Sequence, residues 1–148
     1  MGERHDGCLA ALAGFELMTT SRLRVLLAHH DPAEAFAVAA GAASAHPTVA
    51  AMLRTDVRAA WRSAASRRPP DEWAQRCRRA GISVVTARDQ AYPDVLRHDL
   101  DPPPVLFVRG DLAVLDARRV GVVGTRNATR AGRDTAATLG RCLAETGV

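Results

Sequence analysis

The segment at residues 120–132, VGVVGTRNATRAG, constrains the fold of this chain more than any other. It opens with valines, which favour a buried strand, and glycine at position 124 permits a sharp turn. A helical pattern follows over residues 130–146. A strand that turns into a helix through a glycine points backbone N–H groups and the positive end of the helix dipole at one place. The pattern therefore predicts an anion-binding site.

Polar side chains within this loop suit a phosphate group. Thr125, Asn127 and Thr129 can donate hydrogen bonds to phosphate oxygens, although Thr129 could instead cap the following helix. Arg126 provides a planar cation that matches two oxygens of one phosphate. Gly132, in the first helical turn, would allow a ligand to approach the backbone closely.

The glycine spacing does not match the common nucleotide-binding motifs. Gly121 and Gly124 form GxxG rather than the GxGxxG of dinucleotide-binding folds, and GxxxxGK[ST] is absent. From the pattern alone, two interpretations stay open. The loop is an anion site, or it is a tight strand-to-helix turn whose Arg126 is solvated.

The N-terminal part of the chain is predicted to be helical. Asp31 and Pro32 are typical of a helix start, and Gly41 is typical of the end of that helix. Pro47 begins another stretch of apolar residues at helical spacing. We therefore expect residues 1–66 to form a compact helical domain.

The pattern changes after the breaker SRRPPDEW at residues 66–73, which predicts a domain boundary. The segment 82–86 is short and rich in β-branched residues and is a predicted strand. Prolines 102–104 force an extended entry into a second predicted strand at 105–110, and 120–124 is the third. Strands followed by a closing helix indicate an α/β fold at the start of a parallel sheet. Three strands leave such a sheet incomplete.

The charge of the chain is positive and uneven. The formal net charge is +4, and all 20 basic residues are arginine. Eight of them lie between residues 54 and 79: Arg54, Arg58, Arg62, Arg67, Arg68, Arg76, Arg78 and Arg79. A solvated helix face is the favoured interpretation of this cluster, and a surface that follows nucleic-acid phosphates is the alternative.

No catalytic or metal-binding pattern is visible in the sequence. Cys8, Cys77 and Cys142 are far apart, which indicates reduced thiols in a cytoplasmic protein, without a metal or a cofactor. The chain has no apolar run long enough to span a membrane. Tyr92 is predicted to be a packing anchor, with stacking on a nucleobase as the alternative.

Three segments, in order, resemble the DprA/Smf family, the DNA-processing proteins of bacterial natural transformation. They are YPDVL, the proline-rich PPVLFVRG, and VVGTRNATRAG. The residues that fit the family pattern are Tyr92, Pro93, Leu96, Pro103, Pro104, Leu106, Phe107, Gly110, Val123, Gly124, Thr125, Arg126, Asn127, Ala128, Thr129 and Gly132. The arginine- and alanine-rich composition also resembles that of actinobacterial members.

The resemblance implies a domain organisation. Residues 1–66 are similar to the family's helical leader, a SAM-like or helix-hairpin-helix-like domain. Residues 67–148 are similar to the beginning of its Rossmann-like domain, which in the family continues further and is therefore truncated here.

The resemblance also implies a function without catalysis or cofactor. Family members bind single-stranded DNA, protect it and assist loading of the RecA recombinase. A phosphate contact is implied for Arg126, in a pocket with Gly124, Thr125, Asn127 and Thr129. A homodimer is implied for full-length members, with an interface beyond residue 148.

Two alternatives remain at this point. The chain could be a truncated and largely inactive fragment, since an incomplete parallel sheet exposes an apolar edge. It could instead be a nucleotide-processing enzyme on a related Rossmann-like fold, which would require catalytic carboxylates that this sequence does not show.

Overall fold

A computed structural model describes residues 2–148, which form two compact units. The first unit ends at Gly110, and the second runs from Asp111 to Val148. The domain boundary predicted between residues 66 and 67 stays a prediction.

Helices dominate the first unit. Its elements are α1 (Gly2–Ala13), α2 (Thr20–His29), α3 (Pro32–Ala40), α4 (Pro47–Met52), α5 (Thr55–Arg67), α6 (Pro70–Arg79), β1 (Ile82–Thr86), α7 (Asp94–Arg97) and β2 (Val105–Arg109). The second unit contains a 3₁₀ helix (Leu112–Asp116) and α8 (Arg130–Glu145). Both helices and strands are present, which agrees with the predicted α/β class.

The predicted limits of α3 are confirmed. The Asp31 carboxylate accepts hydrogen bonds from the N–H groups of Ala33 and Glu34 at 2.8 and 3.0 Å. These bonds stabilise the charged form and lower the pKa of Asp31, the bond from Glu34 contributing most. Gly41 ends the helix with φ 77°, a left-handed conformation that glycine adopts without steric cost.

Helix α1 lies at the centre of the first unit. Its residues from Gly7 to Leu12 are all buried, and it packs against α3, α6 and β1. At Gly7 the backbone of α6 comes so close that a Cβ would lie 2.8 Å from the carbonyl carbon of Pro70. The fully buried Trp61 belongs to the hydrophobic core that α1 shares with α2, α3, α4 and α5.

The two strands of the first unit are correctly predicted, but their predicted parallel arrangement is wrong. β1 and β2 pair antiparallel, with Ile82 opposite Arg109 and Thr86 opposite Val105. A parallel pair requires the chain to cross back to the starting end of the first strand. Residues 87–104 instead return the chain to the end at which β1 stops.

Side chains hold this returning connection in place. Tyr92 is 2% exposed, which confirms its predicted packing role, and its hydroxyl donates to the Pro103 carbonyl at 2.7 Å. The Arg97 guanidinium donates to the carbonyls of Ala87, Asp89 and Tyr92. One arginine thus satisfies three loop carbonyls that lack a strand or helix partner.

The strand predicted at residues 120–124 is absent from the second unit, and that prediction is wrong. The segment carries no strand pairing, and Val123 is 95% exposed. A strand needs a neighbour to bind its N–H and C=O groups, and none of the residues 2–148 pairs with this segment. Its valines favour an extended backbone, but they do not by themselves make a sheet.

The cysteines differ in their surroundings. Cys8 and Cys77 are buried, and Cys142 is exposed on α8. Burial raises the pKa of the Cys8 thiol to about 11 and also raises the pKa of Cys77.

No helix within residues 2–148 has the length and apolar character needed to cross a membrane.

Substituting Gly7 by alanine should destabilise the first unit by about 1–3 kcal/mol, because it overpacks the contact between α1 and α6. The added Cβ would meet the backbone of Pro70, which cannot rotate away, and would lie 3.1 Å from the Cβ of Ala74. Gly2→Ala is the matched control, since a Cβ there has nothing within 4 Å. Urea unfolding measures both variants, and equal stability would contradict the close approach.

Alkaline pH should destabilise the first unit through Tyr92. Burial raises the pKa of its hydroxyl above the ordinary value, and the neutral hydroxyl donates to Pro103. Its contribution to stability is therefore complete below about pH 10 and is lost as the pH rises through the folded-state pKa.

Tyr92 is the chain's one tyrosine, so tyrosinate absorbance reports this group directly. We expect a folded-state midpoint above the midpoint measured in urea. The Tyr92→Phe variant should lose less stability than the unmodified protein as the pH rises above about pH 10. A folded-state midpoint at or below the urea value would refute this assignment.

Candidate anion site

Thr129 begins helix α8 and positions the end of the preceding loop. Its backbone is extended (φ −63°, ψ 165°), and its Oγ1 accepts a hydrogen bond from the N–H of Gly132 at 3.1 Å. Thr129 therefore caps α8, which is one of the two roles that the sequence allowed. The hydroxyl hydrogen is not used by this bond and remains able to donate to an anion.

The N-terminus of α8 keeps free hydrogen-bond donors. The helical ladder begins with the N–H of Arg133, which donates to the Thr129 carbonyl at 3.1 Å. The N–H groups of Arg130 and Ala131 therefore have no acceptor within the helix. No acidic side chain occupies the first turn of α8. The positive end of the helix dipole is consequently not neutralised by its own helix.

A turn at Arg126 and Asn127 precedes the helix. The Oγ1 of Thr125 accepts a hydrogen bond from the N–H of Asn127 at 3.3 Å, which fixes this turn locally. Arg126 is exposed, and among residues 2–148 its guanidinium has no ion pair or hydrogen bond. Its N–H donors are therefore available to a ligand.

Arg133 is a further basic residue beside the loop that was not among the predicted site residues. Its Nη1 donates to the carbonyl of Ala128 at 2.8 Å, so its guanidinium lies beside the loop. Its proximity could have been inferred from its position four residues after Thr129, since residues one helical turn apart lie on the same face of a helix.

The six predicted site residues are all exposed: Gly124, Thr125, Arg126, Asn127, Thr129 and Gly132. Hydrogen bonds join Thr125 to Asn127 and Thr129 to Gly132, but none links Arg126 to the helix start. Gly124 has a φ outside the left-handed region, and an added Cβ there would have no neighbour within 4 Å. This backbone conformation therefore does not require glycine at position 124.

The arrangement supplies donors and positive charge, which is the chemistry of anion binding. Within residues 2–148, no group of three His, Cys, Asp or Glu side chains is arranged to hold a metal ion.

The sequence that contains this loop is similar to that of a known protein family. Residues 83–148 match the sequence model of a family described as DNA recombination-mediator protein A. Residues 83–148 are therefore similar in sequence to the DprA family. The matched range contains the loop, the start of α8 and the returning connection at Tyr92.

A curated protein shows a similar partial match. A DNA processing protein DprA of Bacillus subtilis (strain 168) is 42% identical over 57 residues. The alignment covers 38% of this chain and 19% of that protein, so the chain matches about a fifth of the relative's length. No solved structure matches the chain.

Removing the Thr129 cap should loosen the start of α8. Thr129→Ala deletes the acceptor of the Gly132 N–H, at a cost of about 1 kcal/mol in helix stability. The Gly132 amide should then exchange with solvent about fivefold faster, as measured by NMR. Thr129→Ser keeps the oxygen and serves as control. Equal exchange rates in the two variants would show that the cap contributes nothing.

Proposed function

We propose that this chain is part of a DNA-processing protein that binds single-stranded DNA through the loop at residues 124–132. The observation that carries this proposal is that every residue of the anion site lies within the range that matches the DprA family. A site of backbone N–H groups, hydroxyls and one free guanidinium suits a phosphodiester.

Each group in the loop has a distinct part in this proposal. Arg126 binds phosphate oxygens through its guanidinium fork, and the N–H groups of Arg130 and Ala131 stabilise the same negative charge. Thr125 and Asn127 shape the turn that carries Arg126. Such contacts follow the backbone and do not read bases. The preference for single strands comes from the family resemblance.

The proposed domains, biological role and partners follow from the same family resemblance. We infer that residues 1–66 form a SAM-like domain and that residues 67–148 belong to a Rossmann-like domain. The role is protection of incoming DNA in natural transformation, without catalysis. The protein partners are the RecA recombinase and a second copy of the protein. Free, widely spaced cysteines support a cytoplasmic location.

Arg126→Ala should weaken binding of a fluorescein-labelled oligothymidylate, measured by anisotropy across a series of salt concentrations. One phosphate contact on a single strand contributes about 0.7 to the slope of log affinity against log salt. Its loss should lower the affinity about fivefold at about 0.1 M salt and reduce the slope by about 0.7.

Arg141→Ala is the matched control for this experiment. It removes the same charge from an exposed position on α8, about 16 Å along the helix from Arg130. Its affinity and salt slope should stay close to those of the unmodified protein. If Arg126→Ala and Arg141→Ala bind the strand equally well, Arg126 is not a phosphate contact.

A further inference from the structure

Two arginines hold one indole ring in the first unit. Arg68 follows the end of α5, and Trp73 and Arg76 lie in α6. The Cζ atoms of Arg68 and Arg76 lie 5.0 and 4.4 Å from the centroid of the Trp73 ring. We call these three residues the Arg–Trp–Arg cluster. Cation–π attraction to the ring offsets part of the repulsion between the two positive charges.

The two guanidinium groups keep their hydrogen-bond donors free. Within residues 2–148 neither group forms an ion pair, and neither donates a side-chain hydrogen bond. The acidic residues of the first turn of α6, Asp71 and Glu72, are not paired with them. Each guanidinium has five N–H donors in a fixed plane.

Other arginines of the basic stretch are engaged within the protein. Arg54 pairs with Asp56 at 3.3 Å, and Arg78 pairs with Glu3 at 3.0 Å. Arg58 donates to the carbonyl of Leu53 at 2.9 Å. These three arginines fit the interpretation as an ordinary helix surface, and the cluster differs from them by its fixed stacking on Trp73.

The cluster is held in position by the surrounding fold. Trp73 is half-buried and packs against the hydrophobic core. The Nη1 of Arg68 lies 2.5 Å from where a Cβ on Gly14 would stand, so Arg68 lies against the end of α1. A guanidinium that is already fixed loses little conformational entropy when it binds a ligand.

We propose that the Arg–Trp–Arg cluster is a second binding point for single-stranded DNA, in which the two guanidinium groups bind phosphodiester oxygens. This inference rests on the proposed binding of single-stranded DNA. Unpaired, preorganised guanidinium forks are the groups that recognise phosphate, and their planes also provide a surface on which a base can stack.

The first test measures the affinity of the double variant Arg68→Gln/Arg76→Gln for the labelled oligothymidylate across the same series of salt concentrations. Loss of two phosphate contacts should weaken binding about 25-fold at about 0.1 M salt and reduce the salt slope by about 1.4. The matched control is Arg54→Gln/Arg109→Gln, which also removes two positive charges from the first unit. Since the net charge of both double variants is equal, the difference between them reports local contact.

A second measurement does not depend on removing the arginines. The chain has two tryptophans, and Trp61 is fully buried while Trp73 is half-buried beside the guanidinium groups. Oligothymidylate should therefore change the tryptophan emission of the unmodified protein. Trp73→Phe should abolish this change, because the remaining Trp61 has no access to the strand.

The outcomes separate this inference from the proposed function. If Arg126→Ala weakens binding but Arg68→Gln/Arg76→Gln binds like its control, the cluster is not a DNA contact and the function stands. If only the cluster variant is weakened, the cluster is supported and the phosphate role of Arg126 is wrong. If the unmodified protein does not bind the strand, both proposals are overturned. If oligothymidylate leaves the tryptophan emission of the unmodified protein unchanged, this result also counts against the cluster.

Discussion

The close packing of α1 against α6 is the contact on which the first unit depends. Gly7 allows the backbone of α6 to approach, and the buried residues that follow it include Ala10 and Ala11. Only 4% of the residues are aromatic, so much of the core consists of small side chains. A core of small side chains requires short distances between helices, because small groups leave cavities when the backbones move apart. Helix α1 also contacts α3 and β1, so this packing connects the helical bundle to the strands.

Arginine has a structural use in this protein as well as a charge. Arg97 binds carbonyls of the connection between the strands, Arg88 donates to the Leu27 carbonyl at 2.8 Å, and Arg24 donates to the Pro102 carbonyl at 3.0 Å. A planar side chain with five donors can satisfy several loop carbonyls at once, which an ammonium group does with less directional precision. Much of the basic charge is therefore committed to the fold. Arg126 at the loop and the two cluster arginines form no ion pair within residues 2–148, and the cluster arginines are also held against an indole ring.

Local signals in the sequence were sufficient for single elements but not for their arrangement. The limits of α3 were predictable because Asp31 and Gly41 act within one turn of the helix ends. The antiparallel pairing of β1 and β2 was not predictable, because the composition of a strand does not determine its direction relative to a neighbour, which here follows from the path of residues 87–104. The segment 120–124 had the composition of a strand, yet a strand forms only with a partner. In the site, Thr129 was recognisable as a cap, whereas the approach of Arg133 to the loop depends on its side-chain direction.

The contrast among the three cysteines makes selective covalent labelling practical. The raised pKa values of Cys8 and Cys77 keep both buried thiols protonated at neutral pH, and their burial shields them from reagents. Cys142 is exposed, and it lies on the same helix whose N-terminus forms the candidate anion site. A maleimide fluorophore or a spin label will therefore attach at Cys142, three turns from Arg130. The native sequence thus already contains an attachment point for measuring distances from α8 to a bound partner.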